Sequence, residues 1–224
     1  MKSFFHSLIT LIKKDLSIER HTREIFLVML IFALSILFIL NFALDTEVKA
    51  RSSGAAGLIW VILVISGQLS LNQIMNLEKQ GNMLEALLTA PVSRTAIYLS
   101  KVITCFLAMI AMALIIYPLY SIFYNTPLRS VHHLWVALLG CWGYASLGTL
   151  ISGMTIQTRM RDILLPVLFF PVIIPLIVAA VNSSSVIFRG EPIGSALPWI
   201  SQLIAFDVIF TAIGIISFEY IVED

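Results

Sequence analysis

Charge is what this chain has least of. Only 12% of its 224 residues are Asp, Glu, Lys or Arg, where a soluble domain carries about 25%. That shortage, beside 59% hydrophobic residues and a mean hydropathy of +0.96, excludes an ordinary water-soluble fold. It leaves a polytopic helical membrane protein. The formal net charge of +1 provides no field for nucleic acid or for acidic substrates. Cysteine is nearly absent: Cys105 and Cys141 sit inside apolar runs, lack metal-motif spacing, and read as small apolar packers. No Gly-rich phosphate loop of the Walker type occurs, so the chain is not expected to hydrolyse ATP itself. No Ser–His–Asp, His-Glu-x-x-His or paired-cysteine signature occurs either, so neither catalytic residues nor a bound metal are expected. Adjacent His132 and His133 would point about 100° apart on a helix, a poor pair for one ion, and their place at a membrane edge suits an interfacial anchor. The first apolar run is too long and starts too late for a cleavable signal peptide.

What the chain does have is length of apolar run. A helix needs about 20 apolar residues to cross the hydrocarbon core. Six segments qualify: Ile25–Leu44, Gly54–Met75, Ala96–Tyr120, His132–Met154, Ile163–Val181 and Pro198–Phe218. The expected fold is therefore an all-α membrane protein of six transmembrane helices. Connections are short, so the chain reads as a single transmembrane domain over 1–224. Residues 1–24 form an interfacial helix and connector, 25–219 the six-helix bundle with a loop at 77–95, and 220–224 a tail. Lys2, Lys13, Lys14, Arg20, Arg23, Lys79, Arg94, Lys101, Arg159 and Arg161 fall on the side of the termini. Only Lys49, Arg51, Arg129 and Arg189 fall opposite. By the positive-inside rule both termini are expected in the cytoplasm.

Before the first span, Phe5, Leu8, Ile12 and Leu16 recur at helical spacing, with Lys13, Lys14 and Ser17 on other faces. That pattern predicts an amphipathic helix in the membrane interface. The string KKDLSIERHTRE follows, carrying Lys13, Lys14, Asp15, Glu19, Arg20, Arg23 and Glu24 in alternating sign. It suits either a protein contact or a plain positive-inside anchor.

Polar groups in hydrocarbon are costly and mark packing or function. Asn41, Gln68 and Asn72 are expected to hydrogen-bond between helices. Asp207, well inside the last span, is expected to be held by a partner rather than to face lipid. In the fourth span Ala145, Thr149 and Gly153, with Gly148 and Ser152 beside them, form a small-residue ladder suited to close packing within the chain or between copies. In the fifth, Pro166, Pro171 and Pro175 each remove an internal hydrogen bond and bend the helix, which reads as a hinge or as a kinked packer.

The loop Leu77–Arg94, LEKQGNMLEALLTAPVSR, is ordered-looking and amphipathic. Gly81 and Pro91 bracket a short helical pattern. Between them Met83, Leu84, Leu87 and Leu88 make one apolar face, with Asn82 and Glu85 elsewhere. An exposed apolar ridge bounded by charge meets a partner protein or the bilayer surface.

The pattern Glu-x-x-Gly-x-x-Leu-Glu-x-Leu-Leu-x-x-Pro-x-x-Arg, here Glu78, Gly81, Leu84, Glu85, Leu87, Leu88, Pro91 and Arg94, resembles the motif of ABC-2-type exporter permeases. The stretches GLIWVILVISGQLSLNQIMNLEKQG, RMRDILLPVLFFPVIIPLIVAAV and LIAFDVIFTAIGIISFEYIVED, with the N-terminal connector, are similar to those of the CcmB family over nearly the whole chain. LLTAP departs from the family's bulkier run at Thr89. The resemblance implies an ABC-2-type permease architecture and the permease subunit of the cytochrome c maturation ABC transporter in a bacterial inner membrane. It implies a loop docking on a separate CcmA-type ATPase that binds ATP and Mg. It implies CcmC and CcmD as membrane partners, with or without a second copy of this chain. It also implies release of the haem-loaded chaperone CcmE, haem being handled by the complex. Trp135 and Trp142 do not form the Trp-rich motif of a haem handler, in agreement with a mechanical role. Competing readings are an ABC-2 exporter of a drug, lipid or glycan, and a membrane scaffold without an ATPase.

Overall fold

The computed structural model describes residues 2–22, 24–43, 48–80, 93–124, 132–155 and 161–221. These residues form α1 (Lys2–Thr22), α2 (Glu24–Ala43), α3 (Val48–Gln80), α4 (Arg94–Tyr124), α5 (His132–Thr155), α6 (Arg161–Phe188) and α7 (Leu197–Ile221). A 3-10 turn, Ile193–Ala196, precedes α7. No strand occurs among them. Helices are the expected outcome, because in lipid each backbone N–H and C=O must be satisfied within its own segment.

Five of the helices, α2, α4, α5, α6 and α7, are long and apolar enough to cross a membrane. The sixth expected span falls on α3. Its apolar run, Ala56–Asn72, is shorter, but it lies inside a helix of 33 residues, about 50 Å long. The chain is a multi-pass, all-α membrane protein.

α5 lies at the centre. It packs against α3, α4, α6 and α7, and 72% of its span is buried, against 17% for α2 at the periphery. Small residues make that position possible. A Cβ on Gly148 would meet Leu71 of α3, and one on Gly153 would meet Phe218 of α7 at 2.9 Å. The small-residue ladder therefore serves packing within the chain. Buried aromatic hydroxyls and an indole cross-link the same helices. Tyr144 donates to the Val64 carbonyl of α3 at 2.9 Å. Tyr98 of α4 donates to the Ser146 carbonyl at 3.1 Å. Trp142 Nε1 donates to Thr211 Oγ1 of α7 at 3.1 Å. Each bond orients an apolar ring while removing a polar atom that lipid would not solvate.

The fifth span is longer than expected. The expected span ends at Val181, yet the helix runs on through Asn182–Ser185 to Phe188. Two of its polar side chains find partners, while Ser183 Oγ is buried with none among the described residues. Asn182 Nδ2 donates to the Val178 carbonyl at 2.8 Å, and Ser184 Oγ accepts from Trp60 Nε1 at 3.0 Å. α6 then stops at Gly190, whose φ of +70° suits a residue without Cβ. Glu191 N–H bonds the Val186 carbonyl and Gly190 N–H the Ile187 carbonyl, both at 3.1 Å, the paired pattern of a Schellman cap. Pro166, Pro171 and Pro175 lie inside this unbroken helix. Pro171 and Pro175 face outward, and Pro166 is half-buried. Gln202 of α7 reaches the Pro175 carbonyl at 3.4 Å.

Candidate coupling site and intramembrane polar groups

The segment singled out in sequence meets the described structure at its two ends, the last turn of α3 and the start of α4. Gly81, Met83, Leu84, Glu85, Leu87, Leu88 and Pro91 lie outside the described residues, as does Arg23. Glu78 lies in the last turn of α3, Glu19 and Arg20 sit on α1, and Glu24 opens α2; their side chains also lie outside the described ones. The described structure resumes at Ser93, whose carbonyl accepts from the Ala96 and Ile97 N–H groups at 2.9 and 3.3 Å. Ser93 is thus the N-cap of α4, a position that favours serine. Arg94, the last residue of the motif, is the first of α4 and half-buried.

Two turns further along α4 is a group that sequence reasoning counted only in the charge balance. Lys101 is 3% exposed. Its Nζ donates to Asp15 Oδ2 of α1 at 2.8 Å, and Asp15 is itself only 9% exposed. Lys14 Nζ approaches the other oxygen, Oδ1, at 3.5 Å. The signal was available, since a lysine inside an apolar span needs an acid. Nothing in the local pattern said which acid. Removing one partner of such a pair leaves the other charge buried, at a cost of about 3–5 kcal/mol.

The pair also changes how α1 sits. The expected stripe Phe5, Leu8, Ile12, Leu16 is not the line of deepest contact: Phe5 is exposed and the other three half-buried. The buried positions are Leu11 and Asp15, one turn apart, and α1 packs chiefly on α4. Lys13 is exposed and Lys14 half-buried. Pairing with Lys101 turns the helix so that an acid, not the centre of the apolar stripe, faces the bundle.

Asp207 is buried, as expected, at 7% exposure. It is not held as expected: neither carboxyl oxygen has a hydrogen-bond partner among the described residues. It is seated instead against Gly143 of α5, where an added Cβ would meet Oδ1 and also Leu176 Cδ1 of α6 at 2.6 Å. The glycine opens a niche between α5, α6 and α7 that admits the carboxyl group. Gln68 likewise departs from the interhelical bond expected of it. Both amide atoms are buried and unbonded among the described residues, as are Ser66 and Ser70 on the same helix. The amide of Gln68 is enclosed where no described donor or acceptor reaches it. Asn41 and Asn72 are half-buried.

His132 is exposed and His133 buried. The His133 ring lies 4.2 Å from that of Phe188 and 5.8 Å from that of Tyr117. It lines, with Tyr117 and Pro118, an apolar cavity of about 230 Å³ between α4 and α5. The two imidazoles are in different surroundings, one in the packing and one outside it. No group of three or more His, Cys, Asp or Glu suited to a metal occurs among the described residues.

A multi-pass bundle with a tightly packed central helix, a carboxyl group seated in a glycine niche and a charged N-terminal helix joined to it by a buried ion pair is the frame of an integral membrane protein. The model of the CcmB protein family matches residues 6–221, and this chain belongs to that family. Heme exporter protein B of Pseudomonas aeruginosa is 22% identical over 187 residues, covering 83% of this chain and 84% of its own. Heme exporter protein B of Rhodobacter capsulatus is 24% identical over 171 residues, covering 75% and 78%.

Proposed function

We propose that this chain is the permease subunit of an ABC transport complex acting in cytochrome c maturation. In this reading a separate CcmA-type subunit binds and hydrolyses ATP with Mg. The chain passes the resulting motion to a haem-handling assembly with CcmC and CcmD, which releases haem-loaded CcmE. It sits in a bacterial inner membrane with both termini in the cytoplasm. The observation that carries the proposal is the CcmB match, which runs over nearly the whole chain. The segment Glu78–Arg94 is the contact with the ATPase, because it combines an apolar ridge, flanking charges and a direct lead into α4. The chain itself is non-catalytic, and haem is cargo of the complex rather than its own cofactor.

The test is affinity purification in mild detergent from cells producing wild type or the Leu84→Asp/Leu87→Asp variant. The variant is expected to insert normally, to lose the co-purifying nucleotide-binding subunit, and to lose covalent c-type haem on a haem-stained gel. Normal recovery of that subunit refutes the docking contact. Unchanged c-type haem on deletion of the chain, with altered drug sensitivity or envelope glycan, assigns another cargo.

A further inference from the structure

We infer that Asp15 and Lys101 are positioning residues, forming the joint through which motion of the segment before α4 reaches α1 and the first span. The inference rests on the reading of Glu78–Arg94 as the ATPase contact and adds the element that receives its motion.

Four observations carry it. Arg94 opens α4 and Lys101 lies seven residues on, within one continuous helix. Seven residues are nearly two full turns, so the two share a face about 10 Å apart. A displacement at the start of α4 therefore arrives at Lys101 without an intervening break. Second, Lys101 Nζ holds Asp15 Oδ2 at 2.8 Å in a site that excludes water from both side chains. Third, the apolar grip of α1 is shallow. Leu11 is buried, but Phe5 and Ile9 are exposed, and Leu8, Ile12 and Leu16 are half-buried. Apolar surfaces slide past one another at little cost because their attraction has no direction. A buried ion pair has direction, and setting register is its best-attested use. The pair therefore specifies where α1 sits along α4. Fourth, α1 and α2 are separated by Arg23 alone, so a shift of α1 is passed to α2.

The test has two arms. In the assembled complex, Asp15→Lys and Lys101→Asp alone are each expected to lower cytochrome maturation at least tenfold per amount of complex recovered. Combining them is expected to restore at least half of the output. A combined variant no better than the singles overturns the inference. So does a fall in complex amount that matches the fall in output, which would make the pair only an anchor. The second arm is a distance measurement between spin labels at Ser17→Cys and Ser93→Cys, both exposed, with buried Cys105 and Cys141 changed to Ala. Wild type is expected to give one narrow distribution, the same with and without ATP in the complex. Asp15→Asn is expected to broaden it at least twofold, in the complex and in the purified chain alone. A narrow distribution in Asp15→Asn, or a wild-type distance that changes with nucleotide, overturns the joint. The measurement on the purified chain needs neither ATPase nor haem, so failure of the proposed function would leave it readable.

Discussion

Gly140→Ala adds one methyl group at the place where α3 and α5 come closest to a rigid ring. A Cβ on Gly140 would meet the indole of Trp60, with Cζ3 at 2.8 Å and Cζ2 at 2.9 Å besides the nearer Cη2. Trp60 is 2% exposed and its Nε1 is bonded to Ser184 Oγ of α6, so the ring has no free direction in which to retreat. Either α3 moves away from α5 or the indole turns and its bond breaks. Overpacking a tight core costs about 1–3 kcal/mol. A lost hydrogen bond adds about 0.5–1.5 kcal/mol. The expected destabilisation is roughly 2–4 kcal/mol, a fall in melting temperature on the order of 10 °C for a chain of this size. Far-UV circular dichroism of the purified chain in detergent measures it. Gly194→Ala is the control, because that glycine has nothing within 4 Å of an added Cβ, and it is expected to melt as wild type. Trp60→Phe combined with Gly140→Ala should cost at least about 1 kcal/mol less than the sum of the two single changes, since residues in contact couple. If Gly140→Ala melts with the Gly194→Ala control, or the two changes add, α3 and α5 do not approach each other this closely.

Asp207→Asn is expected to leave the chain at least as stable as wild type, because neither oxygen of Asp207 has a partner among the described residues and the amide removes a charge that costs on the order of 3 kcal/mol inside a span. A lower melting temperature in the Asn variant would show that the carboxyl group is held by a charge-dependent contact. The isolated chain is expected to show no near-stoichiometric Soret band. His132→Ala/His133→Ala is expected to leave haem in the assembled complex, since His133 is packed between Phe188 and Tyr117. A strong Soret band on the chain alone, lost in that variant, would place this subunit in the haem path.

Some of this protein was decided within single segments and could be read there. An apolar run long enough to cross hydrocarbon has few alternatives to a helix, because lipid offers no partner for an open backbone group. The spans beginning at Ala96 and His132 accordingly became α4 and α5. The motif ending at Arg94 is a local pattern too, and it resembled ABC-2-type permeases in general; the longer apolar stretches carried the likeness to the family that matches residues 6–221. The end of α6 was not legible. Asn182–Ser185 has the composition of a loop, yet it is helical, and the partner that takes up Ser184 is Trp60, 124 positions away. Only the tertiary structure could decide that Lys101 takes Asp15 as its acid across 86 positions, that Gly143 makes room for Asp207, and that Gly148 and Gly153 receive side chains of this same chain. Periodicity along one helix records which face is apolar, but which partner that face meets depends on how two helices cross. That crossing is set by the fit of side chains from segments far apart in sequence.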